Sequence, residues 1–285
     1  VADGGGVALG DLVADAAQVL AAGRIPEPRR EALRVWADVA EMSPVDAILG
    51  RRHPVSAVQV TAFLNAVERR AVGEPLAYVS GRAGFRRLML QVDRRVLIPR
   101  PETEGLVELV LARAPRGIVA DICAGSGCIA LSLADEGQYQ GVLGVDLSRG
   151  ALDLAAGNAL RTGLPVLLLQ GDLTAPLAAA SLDVLVANPP YIAAAEYAAL
   201  DASVLDWEPR LALESGSDGL DATRRLLDDG RRVVVPGGWM ALEIDASRAD
   251  ATARAAGSLG WQRVMIHHDL FGRERYLLAQ RSEIP

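Results

Sequence analysis

Lysine is missing from this sequence: all 29 basic residues are arginine. A Schiff-base mechanism or a lysine nucleophile is therefore excluded outright. Cysteine is nearly as scarce, with Cys123 and Cys128 alone. They lie close together without a histidine cluster, which excludes a disulfide scaffold and a zinc site and fits a reducing, intracellular setting. The three histidines, His53, His267 and His268, fall in no metal or triad spacing and are expected to be structural or exposed. No apolar run reaches the length of a membrane span, and the opening VADGGGVALGDLVADAAQ has neither a basic start nor a signal-peptide core. A cytoplasmic protein without a membrane partner is expected. The net charge of -7 argues against a protein that grips nucleic acid chiefly through phosphates, so no stable nucleic-acid binding is expected either.

What is present is apolar material for a full core: 51% of 285 residues, enough for one large domain or a large and a small one. The first seventy or so residues read as helices only. Leu9, Leu12, Val13, Ala16 and Leu20 follow helical spacing, with Gly23 as a stop. A second helix opens at Pro28 and carries Leu33, Trp36 and Val39 inward. Ser43-Pro44 starts a short third one ending near Gly50, and Ser56 with Gln59 forms a capping-box pattern for a fourth that stops at Gly73. This region is slightly acidic by count. From Glu74 to Leu97, glycines at turn positions and short apolar runs predict a hairpin linker. Its arginines, Arg82, Arg86, Arg87, Arg94 and Arg95, have Asp93 as the one acid among them, Glu74 standing at the start of the stretch. They read as a solvated linker or, less simply, as a patch for a partner or RNA.

After Pro99, strand and helix patterns alternate. Strands are expected at 117–122, 141–146, 166–170, 182–187, 239–244, 262–267 and 275–280, and helices near 101–114, 127–136, 148–162, 218–230 and 247–259. Such alternation implies a mainly parallel sheet covered on both faces. Only DLFGRE separates the last two strands, too short for a crossover, so they should pair antiparallel. The expected class is α/β: a seven-stranded Rossmann-like domain of the S-adenosylmethionine-dependent methyltransferase type over 98–285. A helical bundle (1–73) and the hairpin linker (74–97) precede it.

IVADICAGSGCIALSLA, from Ile118, runs from strand through glycine turn into helix. Gly125 and Gly127 let the backbone turn and approach a ligand, and the helix start offers unpaired N–H groups. A glycine turn alone is shared by many dinucleotide folds. Asp121 at the strand end would attract a cationic ammonium and repel a pyrophosphate, and Asp146, 25 residues on, is placed to accept ribose hydroxyls. Asp172 repeats the strand-end acid, with Leu173 beside it to pack on an adenine. The plainer alternative makes Asp121 and Asp146 helix caps. Ser126 resembles a nucleophile elbow, but no histidine stands ready to serve it.

VANPPYIAA (186–194) ends the fourth strand with an amide, two prolines and an aromatic ring. The Asn188 side-chain oxygen can accept one N–H of a flat NH2 group, and the Pro189 carbonyl the other, with no local proline N–H competing. Tyr191 can stack on the group's face. Such acceptors orient an sp2 nitrogen and turn its lone pair toward a methyl donor, so positioning and electrostatics serve where no strong base is needed. An ordinary strand-ending turn is the bland alternative, weakened by the glycine turn and Asp146 at compatible spacing.

The chain resembles the N5-glutamine methyltransferases that modify peptide-chain release factors. The resemblance rests on EPLAYVSGRAGF (74–85), VLIPRPETEGLVEL (96–109), DICAGSGCIALSLA (121–134), NPPYI (188–192), EPRLAL (208–213) and DLFGRERY (269–276), and covers all but the helical N-terminus. It implies methyl transfer from S-adenosylmethionine to the glutamine of the release factor's Gly-Gly-Gln loop. It also implies that Cys123, Ala124, Gly125, Ser126, Gly127, Asp146, Leu173 and Asn188 meet the cofactor, with Arg100 and Thr103 at its border. Asn188, Pro189, Pro190 and Tyr191 would meet the glutamine. Cys123-Ala124 stand where the family commonly has Gly-Thr. Adenine and cytosine also carry flat amines suited to such a loop, so a nucleic-acid amino-methyltransferase stays open as the alternative.

Overall fold

A computed structural model describes residues 8–50 and 55–283. The chain divides into two compact units, residues 1–82 with 202–207, and residues 83–201 with 208–285. His53 lies outside the described residues.

The first unit holds α1 (Leu9–Ala22), α2 (Pro28–Val39), α3 (Pro44–Leu49), α4 (Ala57–Ala71) and α5 (Leu76–Ser80). In α1 the five spaced apolar residues are all buried and Gly23 caps the helix, as the pattern predicts. The inward face of α2 is rotated from the expected one. Trp36 is buried, but Ala32 and Val35 flank it while Leu33 and Val39 are only partly covered. Residues at i, i+3 and i+4 share one face, and Trp36 fixes which. Its ring meets Phe63 of α4 edge to face, with centroids 5.5 Å apart. The capping box at Ser56 and Gln59 forms in both directions. Helix α5 was not foreseen, because five residues carry no readable period; Gly81 ends it in the left-handed region.

The second unit opens with the expected hairpin, β1 (Arg82–Phe85) and β2 (Leu88–Gln91). Helix α6 (Pro101–Arg113) leads into the alternating part: β3 (Arg116–Ile122), α7 (Cys128–Glu136), β4 (Gln138–Asp146), α8 (Arg149–Thr162), β5 (Leu167–Gln170) and β6 (Leu182–Ala187). Two short helices follow, α9 (Ala194–Tyr197) and α10 (Ala202–Leu205), the latter in the first unit. Then come α11 (Asp221–Val233), β7 (Val234–Glu243), α12 (Ala249–Ser258), β8 (Gln262–His268) and β9 (Glu274–Gln280). The sheet order is β5-β4-β3-β6-β7-β9-β8, parallel except for β9, which runs antiparallel to both neighbours.

Alternate residues of the central strands feed two cores. Ala120, Leu185, Met240 and Leu277 pack with α11 and α12 on one face. Val119, Val184, Ala241 and Leu278 pack with α6, α7 and hairpin residues Phe85 and Leu90 on the other. The basic stretch is largely neutralised within the fold. Arg86 pairs with Glu136 at 2.5 Å and Glu108 at 2.9 Å, and Arg95 with Asp93 at 2.6 Å.

Candidate active site

Strand order reverses at β3, with β4 on one side and β6 on the other, and open parallel sheets bind ligands beyond the strand ends at such a point. The register sets the tips level: Ile122 pairs with Val145 and with Ala187, and Ala187 with Leu242. The next residue on each strand therefore emerges at one edge: Cys123, Asp146, Asn188 and Glu243. A cavity of ≈ 330 Å³ opens there. Of the expected residues, Cys123, Ala124, Gly125, Ser126, Asp146, Leu173 and Asn188 stand on its wall, with Arg100, Thr103 and Pro190. Asp121, Gly127, Pro189 and Tyr191 do not.

The glycine turn is wound tightly. Cys123, Gly125 and Gly127 have φ of 67°, 54° and 80°, so three of five consecutive residues are left-handed. Only the two glycines adopt this without strain. Gly125 donates its N–H to Asp146 Oδ2 at 2.8 Å, and Ser148 donates to Asp146 Oδ1 at 2.8 Å. Asp146 thus ties the glycine turn to the loop after β4 and is not a helix cap, since the Ser148 hydroxyl caps α8, and it stands on the cavity wall. Burial raises its carboxyl above the ordinary range, against those backbone hydrogen bonds. Asp121 is fully buried beneath the turn, where Oδ2 accepts from Ala130 N at 3.1 Å and Oδ1 has no partner. It is off the wall because its side chain turns under the helix start it caps; any pull on a cationic ligand acts through the loop. Burial holds its carboxyl well above the usual range, with Asp146 adding to the effect.

Both thiols are raised by burial, Cys128 to about 12, so neither offers a thiolate nucleophile. Among the described residues no histidine stands beside Ser126, since His267 and His268 lie on the edge strand β8. The wall's arginines are committed to acids. Arg225 meets Asp172 at 2.7 Å, Arg100 meets Glu208 at 2.6 Å, and Arg95 is held by Asp93. Among the described residues, Asp146 is answered by backbone N–H groups alone. A ligand bearing hydroxyls and a positive charge fits this lining better than a pyrophosphate.

On the acceptor side, Asn188 donates Nδ2–H to Thr103 Oγ1 at 3.1 Å. The Thr103 hydroxyl in turn donates a hydrogen bond to Glu243 Oε2 at 2.7 Å. The Tyr191 hydroxyl reaches Glu243 Oε1 at 3.4 Å, which accounts for its absence from the cavity wall. Pro189 is buried, and among the described residues no donor engages its carbonyl. Tyr276 pins the start of α6 by donating to the Glu102 carbonyl at 2.5 Å.

Sequence reasoning passed over three residues. Glu243, 1% exposed, ends an apolar strand, the same signal that picked out Asp146 and Asn188. Glu208 receives both Arg100 and the Ile98 amide. Asn158, in mid-helix, clamps Gln91 of β2 from both sides and donates to the Ser126 carbonyl at 3.0 Å; nothing in its sequence setting marks it.

Residues 11–81 match the PrmC N-terminal domain, and residues 102–206 the methyltransferase small domain. A release factor glutamine methyltransferase of Moorella thermoacetica is 40% identical over 96% of this chain and 99% of its own length. That of Cereibacter sphaeroides is 38% identical over 95% and 97%. Among solved structures, a methyltransferase from Pyrococcus furiosus shares the fold, with a TM-score of 0.51 and 16% identity over 68% of this chain and 88% of that one. Among the described residues no helix is long and apolar enough to cross a membrane. With two curated relatives aligned almost end to end, the chain belongs to the release factor glutamine methyltransferase family.

Proposed function

We propose that this chain methylates the side-chain amide nitrogen of the glutamine in the Gly-Gly-Gln loop of peptide-chain release factors, using S-adenosylmethionine, and so modulates translation termination. The observation that carries the reading is Asn188, set level with the glycine turn on one cavity wall and followed by a proline carbonyl that meets no local donor. When bound, S-adenosylmethionine supplies an electrophilic methyl group. The residues assigned to hold it are Cys123 to Gly127, Asp146 and Leu173, with Arg100 and Thr103 at the border and Asp121 acting from beneath. Asn188 Oδ1 and the Pro189 carbonyl accept the two N–H bonds of the glutamine amide and fix its plane. Pro190 and Tyr191 complete the loop. No side chain need act as a strong base, since a newly alkylated nitrogen loses its proton readily to water. Catalysis is by position and electrostatics.

Residues 98–285 carry the transfer, 74–97 link, and 1–73 dock the protein substrate. The exposed Val45 and Leu49 on α3 support a docking role. Substrates that work at the ribosome make the cytoplasm the compartment of action. Labelled methyl transfer, with release factor and DNA offered side by side, tests the reading. Labelled protein is expected, lost in Asn188→Ala; label on DNA alone would overturn it.

A further inference from the structure

Resting on that reading, we infer that Glu243 is a positioning residue: through the single proton of Thr103 it dictates which end of the Asn188 amide faces the cavity. An ionised carboxylate can only accept, and a threonine hydroxyl has one proton to give. Glu243 Oε2 accepts the hydrogen bond it makes, at 2.7 Å. The Thr103 oxygen is then left as an acceptor, so the Asn188 atom 3.1 Å away must be Nδ2. Oδ1 is thereby turned to the other side, as an acceptor for a substrate N–H. Were the amide reversed, two NH2 groups would face each other as donors, and the substrate amide would lose one of its two anchors. The Tyr191 hydroxyl meets the other oxygen of the same carboxylate at 3.4 Å, so Glu243 steadies both ends of the Asn-Pro-Pro-Tyr loop.

The device has a built-in pH response. Glu243 is enclosed by Thr103 and Glu102 of α6, Tyr191 of the loop, and Arg275 and Tyr276 of β9. Burial pushes its carboxyl up to about 6, with Glu102 adding and Thr103, Arg275 and Tyr191 opposing. Once protonated, Glu243 can donate to Thr103, whose own proton is then released toward Asn188 and permits the amide to turn. Turnover at saturating substrates should fall as pH drops through about 6.

Two measurements test this. In the first, kcat is followed against pH in wild type, Glu243→Gln, Thr103→Val and Thr103→Ser. Wild type should lose activity on the acid side, and Glu243→Gln should give a flat profile about 10- to 100-fold lower. Thr103→Val should show a similar drop in kcat, and Thr103→Ser should recover to within about threefold. An acid limb that persists in Glu243→Gln overturns the inference. So does a Thr103→Val enzyme that keeps the wild-type kcat, and should Glu243→Gln fail to fold, the two Thr103 variants decide alone. The second measurement follows the Asn188 side-chain NH2 signals by NMR in protein labelled with nitrogen-15 asparagine. They should shift with a midpoint at about 6 in wild type and stay still in Glu243→Gln. This arm needs no methyl acceptor. A wild type that methylates no protein would end the functional reading, leaving the NH2 signals to judge Glu243.

Discussion

The Asp146 carboxylate holds the Gly125 amide at 2.8 Å, joining the tip of β4 to the glycine turn that follows β3. One side chain thus shapes the turn and stands on the wall of the cavity it encloses. Asp146→Ala removes both functions, and cofactor affinity measured by titration calorimetry should fall by about 100-fold or more. Because burial raises its carboxyl, affinity should also decline on acidification sooner than an exposed aspartate would allow. An Asp146→Ala protein that binds within a few-fold of wild type would remove Asp146 from the site.

Asp121 should make the cofactor-free protein less stable as pH rises. Its carboxyl is raised when folded and ordinary when unfolded, so its stability contribution is full below the unfolded pKa and lost as pH climbs toward the folded one. Asparagine cannot ionise. Between about pH 5 and pH 8 the Tm of wild type should fall relative to that of Asp121→Asn, which should match or exceed it at the upper end. Parallel melting curves across that range would contradict the assignment.

Cys123 occupies a left-handed conformation, φ 67°, which glycine alone adopts without strain. Comparing Cys123→Gly with Cys123→Ala removes the thiol from both and isolates the backbone. The glycine variant should be more stable by about 1 kcal/mol in denaturant unfolding. Equal stabilities would mean the turn carries no strain at this residue.

Asn188→Asp keeps an acceptor oxygen yet should fail. Thr103 has one proton, already given to Glu243, so a carboxylate at 188 would face an oxygen that cannot donate to it. A fall in kcat of about 100-fold is expected at neutral pH, comparable to removing a preorganised hydrogen-bond partner from an active site. Retained activity would show that any acceptor at 188 suffices.

Gly105 on α6 is packed against Tyr276. A Cβ there would lie 2.9 Å from the ring Cζ and dislodge the tyrosine that pins Glu102. Gly105→Ala should cost about 1–3 kcal/mol in spite of alanine's better helix propensity. A stabilised variant would show that Tyr276 moves aside freely.

Much of the catalytic unit was legible in the chain because its signals are local. Apolar runs ending in an acid or an amide mark strand tips, and DLFGRE is too short for anything but an antiparallel return. Asp146 and Asn188 were found in this way, and both stand on the cavity wall. Strand β7 was legible only in part. Its beginning at Val234 passes through Pro236, Gly237 and Gly238, which read as a turn, and the pairing with β6 slips there. Helix α5 was too short to show a period, and the face of α2 was chosen by contact with Phe63.

The sequence by itself determined the order of the strands and long helices, the glycine turn and which residue types stand in the 188–191 loop, since each depends on residues within a few positions of one another. Only the tertiary structure decided that Asp121 lies under the turn, that Tyr191 leans on Glu243, and that Thr103 reads the Asn188 amide. Those pairings join residues 85 and 140 positions apart at Thr103 alone, and they exist because strand register brings separate tips to one edge. Burial does the rest: out of water, these polar groups pair with the few partners that the fold puts beside them, Asp121 Oδ1 alone among them being left without one.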